Sequence, residues 1–367
     1  CAGKTTLMSR AVQELAQRGI EVLICPEAAT SLIAGMNVKP GLFPDDGFQK
    51  FIMQQQFFNE KMLEDMAKSL TAETGRPAVI LCDRGKLDSL AYAPENVIHK
   101  LLQKHGSNLI EARDSYEAVI HLTTAAAGAL DAYTLSNNAA RSETPEEAVQ
   151  KDAAVLRAWT GHPHLSIIDN KNSFEEKIAK AIQSIFSVLG IPYSVEKERK
   201  FLIHYPCLSA LKKYGAVKSE IVQTYLPSIS HIERRVRQRG DGKDFSFFYT
   251  EKQDSEIPEK RFEKERMIST KEYLSYLTEA DYQRVTPIQK DRYCFPYLSQ
   301  YMELDIYAGE TDYAILEVEF SDDGSHIVLP PEIHLIAEVT GDKRYSNRYL
   351  AEHGGRFPAD LPHSHCG

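Results

Sequence analysis

The stretch VEKERKFLI, residues 195–203, places Glu196, Glu198 and Lys200 on alternate positions just before and within an apolar run. Successive side chains of a strand point to opposite faces, so these three share one face. The same pattern recurs downstream. ERRVRQRG aligns Arg235, Arg237 and Arg239, YTEKQ puts Lys252 on the face of Phe248 and Thr250, RFEKE aligns Arg261, Glu263 and Glu265, and QKDRYCF aligns Lys290 and Arg292. YMELDIY opposes Glu303 and Asp305 to Met302, Leu304 and Ile306, and YAILEVEF opposes Glu317 and Glu319 to Leu316, Val318 and Phe320. For any single strand, an antiparallel sheet with one wet face is a sufficient account. Together the strands set eight acids against eight bases, and a solvated face has no need of that density. Closing the sheet with these residues inward predicts a hydrated, charged tunnel whose apolar faces pack outward. Arginines and lysines there would bind a string of phosphates, and paired glutamates would hold hard cations through oxygen.

A chain of 367 residues has room for a second core, and the first half reads differently. IEVLIC, PAVILC, YEAVIHL and LSIID look like strands and alternate with helix-like stretches such as 49–70, 145–158 and 174–189, which predicts an α/β domain with a parallel sheet. Its opening Gly3-Lys4-Thr5-Thr6 supplies the end of the phosphate-loop pattern G-x-x-x-x-G-K-[ST], ahead of a helix expected to run to about residue 18. In that role backbone N–H groups cradle phosphates, Lys4 neutralises the β- and γ-phosphates and Thr5 holds Mg²⁺; otherwise the same residues simply start a helix. Asp83 and Arg84 end one strand, where the carboxylate would hold Mg²⁺ or its water and the arginine would grip a phosphate, or the two form a surface ion pair. Glu27 ends another strand, placed to take a proton from a substrate hydroxyl or to cap a helix. Gln54, Gln55 and Gln56 lie on the long helix, where one would recognise a base, although solvated helix glutamines are the ordinary account.

Residues 1–192 resemble the P-loop kinase-like AAA domain family, related to nucleoside and nicotinamide-riboside kinases, through CAGKTT, CPEAAT, CDRGKLDSLAY, YEAVIHLTTAA, YTLSNNAARSE, AWTGHPHLSIIDN and LGIP. The resemblance implies ATP or GTP as the bound nucleotide, kinase or NTPase chemistry, and a lid over residues 133–143 from which Arg141 reaches the transferred phosphate. Residues 193–352 resemble the CYTH, or triphosphate tunnel metalloenzyme, superfamily, whose E-x-E-x-K signature is EKERK itself. The match continues through QTYL, RRVRQRG, YTEK, RFEKE, KDRY, MELDIY, EVEF and AEVTGDKRYSNRYLA. It implies an eight-stranded antiparallel tunnel and a metal-dependent triphosphate phosphohydrolase, using Mg²⁺ or Mn²⁺. By that match Glu196, Glu198, Glu317 and Glu319 would be metal ligands. Lys200, Arg235, Arg237, Lys252, Lys290 and Arg292 would bind the triphosphate, with Lys200 also catalytic; Arg239 is left to a turn with Gly240. The order of the two halves also resembles fused proteins read as nucleotide- and phospholipid-binding. The alternative function is therefore a non-catalytic, nucleotide-regulated phosphoanion or phospholipid binder.

A formal charge of −9 disfavours nucleic acid as a partner and leaves small-molecule phosphates and nucleotides. No long apolar run suggests a membrane span, and six cysteines without a CxxC pair suggest a reduced, cytoplasmic protein. Residues 353–367 read as a tail in which His363, His365 and Cys366 stand at metal-compatible spacing or belong to a flexible terminus. The lone Trp159 is expected in a core or domain contact.

Overall fold

The protein is described by a computed structural model covering residues 2–43, 47–128, 144–191, 198–230, 232–254, 261–319 and 327–358. Arg141 and the proposed lid, Glu196, and the histidine-bearing end of the tail lie outside the described residues, as do the side chains of Arg261 and Glu263. The chain divides into two compact units, one of Cys1–Trp159 with Ile167–Ile185 and one of Thr160–Ser166 with Phe186–Gly367. Among the described residues no helix is long and apolar enough to cross a membrane.

In the first unit the helix Lys4–Ala16 buries Leu7, Ala11 and Leu15, a stripe of i, i+4, i+8 positions that makes one face apolar. Gly3 caps it at φ 90°, and a Cβ there would meet Phe174 at 2.8 Å, so conformation and space both demand glycine. Strands β1 (Glu21–Cys25) and β2 (Ala78–Cys82) pair in parallel, from Glu21 opposite Ala78 to Cys25 opposite Cys82. Strands β3 (Val119–Leu122) and β4 (Leu165–Ile168) form a second pair. The parallel pairing of β1 and β2 agrees with the sequence reading, but among the described residues the expected single sheet is two separate two-stranded pieces. The helix expected at 49–70 runs from Gly47 to Thr74, those at 145–158 and 174–189 are Pro145–Trp159 and Phe174–Val188, and Trp159 is in the core, its ring edge-on to Tyr116.

The second unit is built on nine antiparallel strands: β5 (Glu198–His204), β6 (Val217–Ile229), β7 (Ile232–Gly240), β8 (Phe245–Asp254), β9 (Arg261–Ile268), β10 (Ile288–Tyr297), β11 (Gln300–Tyr307), β12 (Tyr313–Glu319) and β13 (Leu335–Glu338). Their order across the sheet is β13-β5-β12-β11-β10-β6-β7-β8-β9. The expectation was eight strands closed on themselves. Among the described residues the sheet has nine, and its edges β9 and β13 are not hydrogen bonded to each other. The extra strand is the short β13, which adds to β5 across a register shift between Leu335 and Ala337.

Period-two alternation gives this sheet two unlike faces. On one, Phe201, Ile203, Phe295, Met302, Leu304, Leu316 and Val318 form a buried cluster with Leu211 and Ile333. The other face carries the charges, and at one end it turns apolar. There Leu202, Ile288, Ile315, Tyr225 and Tyr307 pack on Tyr345, Leu350 and Ala351, so the short helix Asn347–Glu352 plugs that end. Arg239, left by the sequence reading to a turn, lies inside β7, fully buried, donating to Ser219 Oγ at 3.2 Å and to the Gly161 carbonyl. Its long stem and five donors suit a buried position lined with oxygen acceptors.

Leu304 is wholly buried on the apolar face. Leu304→Ala is expected to lower the unfolding free energy of the sheet unit by about 2–5 kcal/mol in denaturant titration followed by circular dichroism.

Candidate functional site

In the first unit four predicted residues, Lys4, Glu27, Asp83 and Arg84, meet at the ends of β1 and β2. The Lys4 ammonium lies 2.9 Å from Asp83 Oδ1, and Arg84 Nε lies 3.4 Å from Glu27 Oε1 while its Nη1 lies 3.1 Å from Asp88. Glu27 stands at the N-cap of the short helix Ala28–Thr30, as one reading of the sequence has it, but its side chain makes no capping bond to the backbone; it accepts from Thr30 at 2.6 Å and pairs with Arg84. Burial lowers the pKa of Lys4, and the neighbouring Arg84 adds to the effect. Beside this group a cavity of about 710 Å³ is lined by Thr5, Glu27, Thr30 and Asp83 with apolar walls from Met8, Val12 and Ile24. Thr5 and Thr6 are exposed on the first turn of the helix, where the peptide N–H groups face out unpaired by the helix itself.

Gln56 departs from the sequence reading. It is 3% exposed, not solvated, and donates to the Arg84 carbonyl at 2.8 Å and to Glu60 Oε1 at 2.7 Å. Glu60 also accepts from Tyr116 at 2.5 Å and pairs with Lys86 at 2.9 Å, which fixes the loop after β2 from beneath. The signal available in sequence was the spacing Met53, Gln56, Glu60, Leu63: a buried stripe at helical period whose polar members satisfy one another.

In the second unit strand register gathers the charges into rows. Across β5, β12, β11 and β10 one row runs Lys200, Glu317, Glu303, Cys294, and the next Leu202, Ile315, Asp305, Arg292. Glu198 and Glu319 stand opposite each other one row beyond. On the other half of the sheet Tyr225, Arg235 and Thr250 share a row, as do Gln223, Arg237 and Phe248, and Lys252 stands opposite Glu233.

Arg292 is the hub. Its Nε and Nη2 meet the two oxygens of Asp305 at 2.6 and 2.7 Å, Nη2 also meets Glu317 at 2.6 Å, and Nη1 bonds Glu303. Lys290 bonds the same Asp305, and Lys200 lies 2.7 Å from Glu317 and 3.6 Å from Glu198. Across the sheet Glu265 accepts from Arg237 and from Thr250, each at 2.7 Å. The titration directions follow. Burial works against the charged form of Glu317, yet Lys200, Arg292 and Lys290 outweigh it and hold the carboxyl well below the usual range. Burial likewise pulls Lys200 down, and the charges of Glu317 and Glu198 more than reverse it. Lys290 ends below its ordinary value, because burial exceeds the pull of Asp305. Glu198 is raised, first by the negative charge of Glu317 and then by burial, and is partly relieved by Lys200, Lys252 and Arg292. Lys252, which eases the shift of Glu198, belongs to β8, six places from β5 in the strand order.

The predicted cations Lys200, Lys290 and Arg292 and the acids Glu198 and Glu317 therefore converge. Arg235 and Arg237 stand in a second group across the sheet. Glu303 and Asp305, read from alternation but given no role, prove to be the partners of Arg292 and Lys290. Among the described residues no three carboxylate, histidine or cysteine side chains converge on a single point that could hold a metal ion.

Glu317→Gln is expected to destabilise the sheet unit by roughly 3–5 kcal/mol at neutral pH, since two buried cations lose a partner. The folded carboxyl titrates below the ordinary 4.5, so its contribution is complete above that pH and is lost as pH falls through the folded value. Denaturant titrations of both proteins should show the gap narrowing below pH 4.5 and constant above it.

Comparison with known proteins assigns each half. Residues 1–177 match the AAA domain family. The inorganic triphosphatase of Nitrosomonas europaea is 32% identical over 161 residues, which are 42% of this chain and 96% of that protein. Among solved structures, a Pyrococcus horikoshii OT3 protein aligns at 16% identity and a TM-score of 0.27, covering 35% of this chain and 80% of its own. A conserved hypothetical protein of Pyrococcus furiosus aligns at 17% identity and a TM-score of 0.26, covering 35% of this chain and 81% of its own; at these scores the structural likeness carries no argument. On the sequence match, the chain is a member of the inorganic triphosphatase family through its C-terminal part, preceded by a P-loop kinase-like AAA domain.

Proposed function

We propose that the sheet unit hydrolyses a triphosphate, inorganic or organic, with a divalent cation, and that the first unit binds ATP or GTP and acts as a kinase or NTPase. One observation carries the hydrolase reading: on a single sheet face the buried Lys290 and Arg292 and the largely buried Lys200 have three carboxylates, Glu303, Asp305 and Glu317, already neutralising them. Such a cluster is costly to maintain for stability alone. It suits a ligand that replaces the carboxylates as the anionic partner. In this reading Lys200, Arg235, Arg237, Lys252, Lys290 and Arg292 take the phosphate oxygens, the sheet forms a tunnel around the chain, and Arg292 offers its planar fork to a phosphate.

The displaced acids then need a cation. Glu198, Glu317 and Glu319, with Glu196, would hold Mg²⁺ or Mn²⁺ through a purely oxygen donor set. The fit is supported by the mutual repulsion of Glu198 and Glu317, which a cation between them would relieve. When bound, such an ion neutralises charge on the transferred phosphoryl group. Lys200, between Glu198 and Glu317, would stabilise the same charge from the protein side. In the first unit Gly3, Lys4, Thr5 and Thr6 would cradle the nucleotide phosphates, Thr5 and Asp83 would hold Mg²⁺, Arg84 and Arg141 would act on the transferred phosphate, and Glu27 would serve as base. The cavity between Thr5, Glu27 and Asp83 supports a ligand at that place.

The alternative is a nucleotide-regulated binder of phosphoanions or phospholipid headgroups, to which the same cations would offer a site. Phosphate release from tripolyphosphate, ATP, GTP and thiamine triphosphate with Mg²⁺ or Mn²⁺ decides between them. The expected result is release that survives Lys4→Ala and falls at least about a hundredfold in Glu317→Gln/Glu319→Gln, in keeping with the loss of groups that stabilise transition-state charge. No release from any substrate, with tripolyphosphate still bound, would put the binder first.

A further inference from the structure

We propose that Cys25 and Cys82 are an oxidation site of the first unit: a hydroperoxide converts the two thiols into a disulfide, which weakens nucleotide binding beside it. The binding half of this proposal rests on the nucleotide reading above. The two residues end β1 and β2 in register, Cys25 opposite Cys82 in a parallel pair, so their side chains leave the same face of neighbouring strands. Such strands lie about 4.8 Å apart, within the roughly 4.4–6.8 Å between Cα atoms that a disulfide spans. The thiols are already within hydrogen-bonding reach of each other. Both are free, Cys25 fully buried and Cys82 partly exposed, so the pair opens to a water-sized peroxide on the Cys82 side. Core packing asks only for small apolar side chains here, not for two thiols face to face.

The step balances with the peroxide as oxidant. One sulfur, as thiolate, attacks a peroxide oxygen and breaks the O–O bond, giving a sulfenic acid, while the departing oxygen takes up protons and leaves as water. The second sulfur attacks the sulfenyl sulfur, the S–S bond forms, and the hydroxyl leaves as a second water. In-register side chains on parallel strands keep about the strand spacing between their Cβ atoms, whereas a disulfide holds them at about 3.8 Å, so closure draws the two strand ends together by about 1 Å. Those ends carry the site. Asp83 directly follows Cys82, its N–H donates to the Cys25 carbonyl at 3.0 Å, and its carboxylate lies 2.9 Å from the Lys4 ammonium. Glu27 stands two residues after Cys25 and pairs with Arg84. Gln56 donates to Cys25 Sγ at 3.6 Å and to the Arg84 carbonyl at 2.8 Å, tying the thiol to the same loop. A shift of about 1 Å at groups that must meet a ligand in fixed geometry is costly.

The test treats the full chain with hydrogen peroxide, maps its peptides without reduction, and titrates ATP calorimetrically before and after, in wild type and Cys82→Ser. Wild type is expected to yield a peptide pair joined through Cys25 and Cys82 and to bind ATP about tenfold more weakly, the loss of one charge-assisted contact, with both changes reversed by dithiothreitol. Cys82→Ser should keep its ATP affinity within about twofold through the same treatment. That variant also separates the pair from the exposed Cys207 of the other unit, whose oxidation it leaves intact. Cys25 and Cys82 still open to alkylation after peroxide, or bonded only to other cysteines, overturn the oxidation site. A Cys25–Cys82 disulfide that leaves ATP affinity unchanged, or an equal loss of affinity in Cys82→Ser, overturns its effect on binding. A reduced wild type that binds no ATP overturns the nucleotide reading instead, and the joined peptides still decide the oxidation site.

Discussion

The second unit depends on one guanidinium. Arg292 is buried at the centre of a nine-stranded sheet and hydrogen-bonds Glu303, Asp305 and Glu317, contributed by the two strands β11 and β12. A buried cation must be paired or it is not tolerated. Three carboxylates around one arginine overcompensate it, so Lys290 and Lys200 are drawn in to balance Asp305 and Glu317. The charged face is therefore one coupled network, which Glu198 joins through Lys200 and Glu317. Networks of this kind set the geometry of a site more than they add to stability.

The outer face bears the stability. The cluster of Phe201, Leu304, Leu316 and their neighbours alternates residue by residue with the charges, so each strand that supplies an anion or cation inward supplies an apolar side chain outward. The apolar end of the inner face, closed by Tyr345, Leu350 and Ala351, excludes water from one side of the charged rows. Low dielectric strengthens every ion pair there and makes each empty donor costly. In the first unit the polar layer is thinner: Lys4 with Asp83, and Arg84 with Glu27 and Asp88, joined through the Arg84 carbonyl to Gln56 and Glu60.

Period-two alternation made the charged face legible in sequence, because a strand shows its two faces in its spelling. Glu198, Lys200, Arg292 and Glu317 were identified from that pattern and the family signature, and the structure brings them together. Sheet order and strand count were not legible: β13 joins β5 through four residues whose pattern, LIAE, is weak, and nothing local states that it adds to an edge. The parallel pairing of β1 and β2 followed from two apolar runs, whereas their separation from β3 and β4 is a tertiary fact. Gln56 was misread because a glutamine on a helix is polar by name, and only the buried Glu60 and the Arg84 carbonyl reveal why it faces inward. Arg239 was misread for a similar reason, its acceptors being remote in sequence.

The central claim is that phosphate and divalent cation replace, on this face, the ion pairs that its acids and bases make with each other. Calorimetric titration of tripolyphosphate into the full chain, with and without Mg²⁺, and in wild type and Glu317→Gln, measures that coupling directly, after allowance for Mg²⁺ bound by tripolyphosphate in solution. The account predicts that Mg²⁺ tightens binding by about 5–150-fold in wild type and that the gain largely disappears in Glu317→Gln. Equal affinity with and without Mg²⁺ in wild type, or a gain that Glu317→Gln leaves intact, would contradict it.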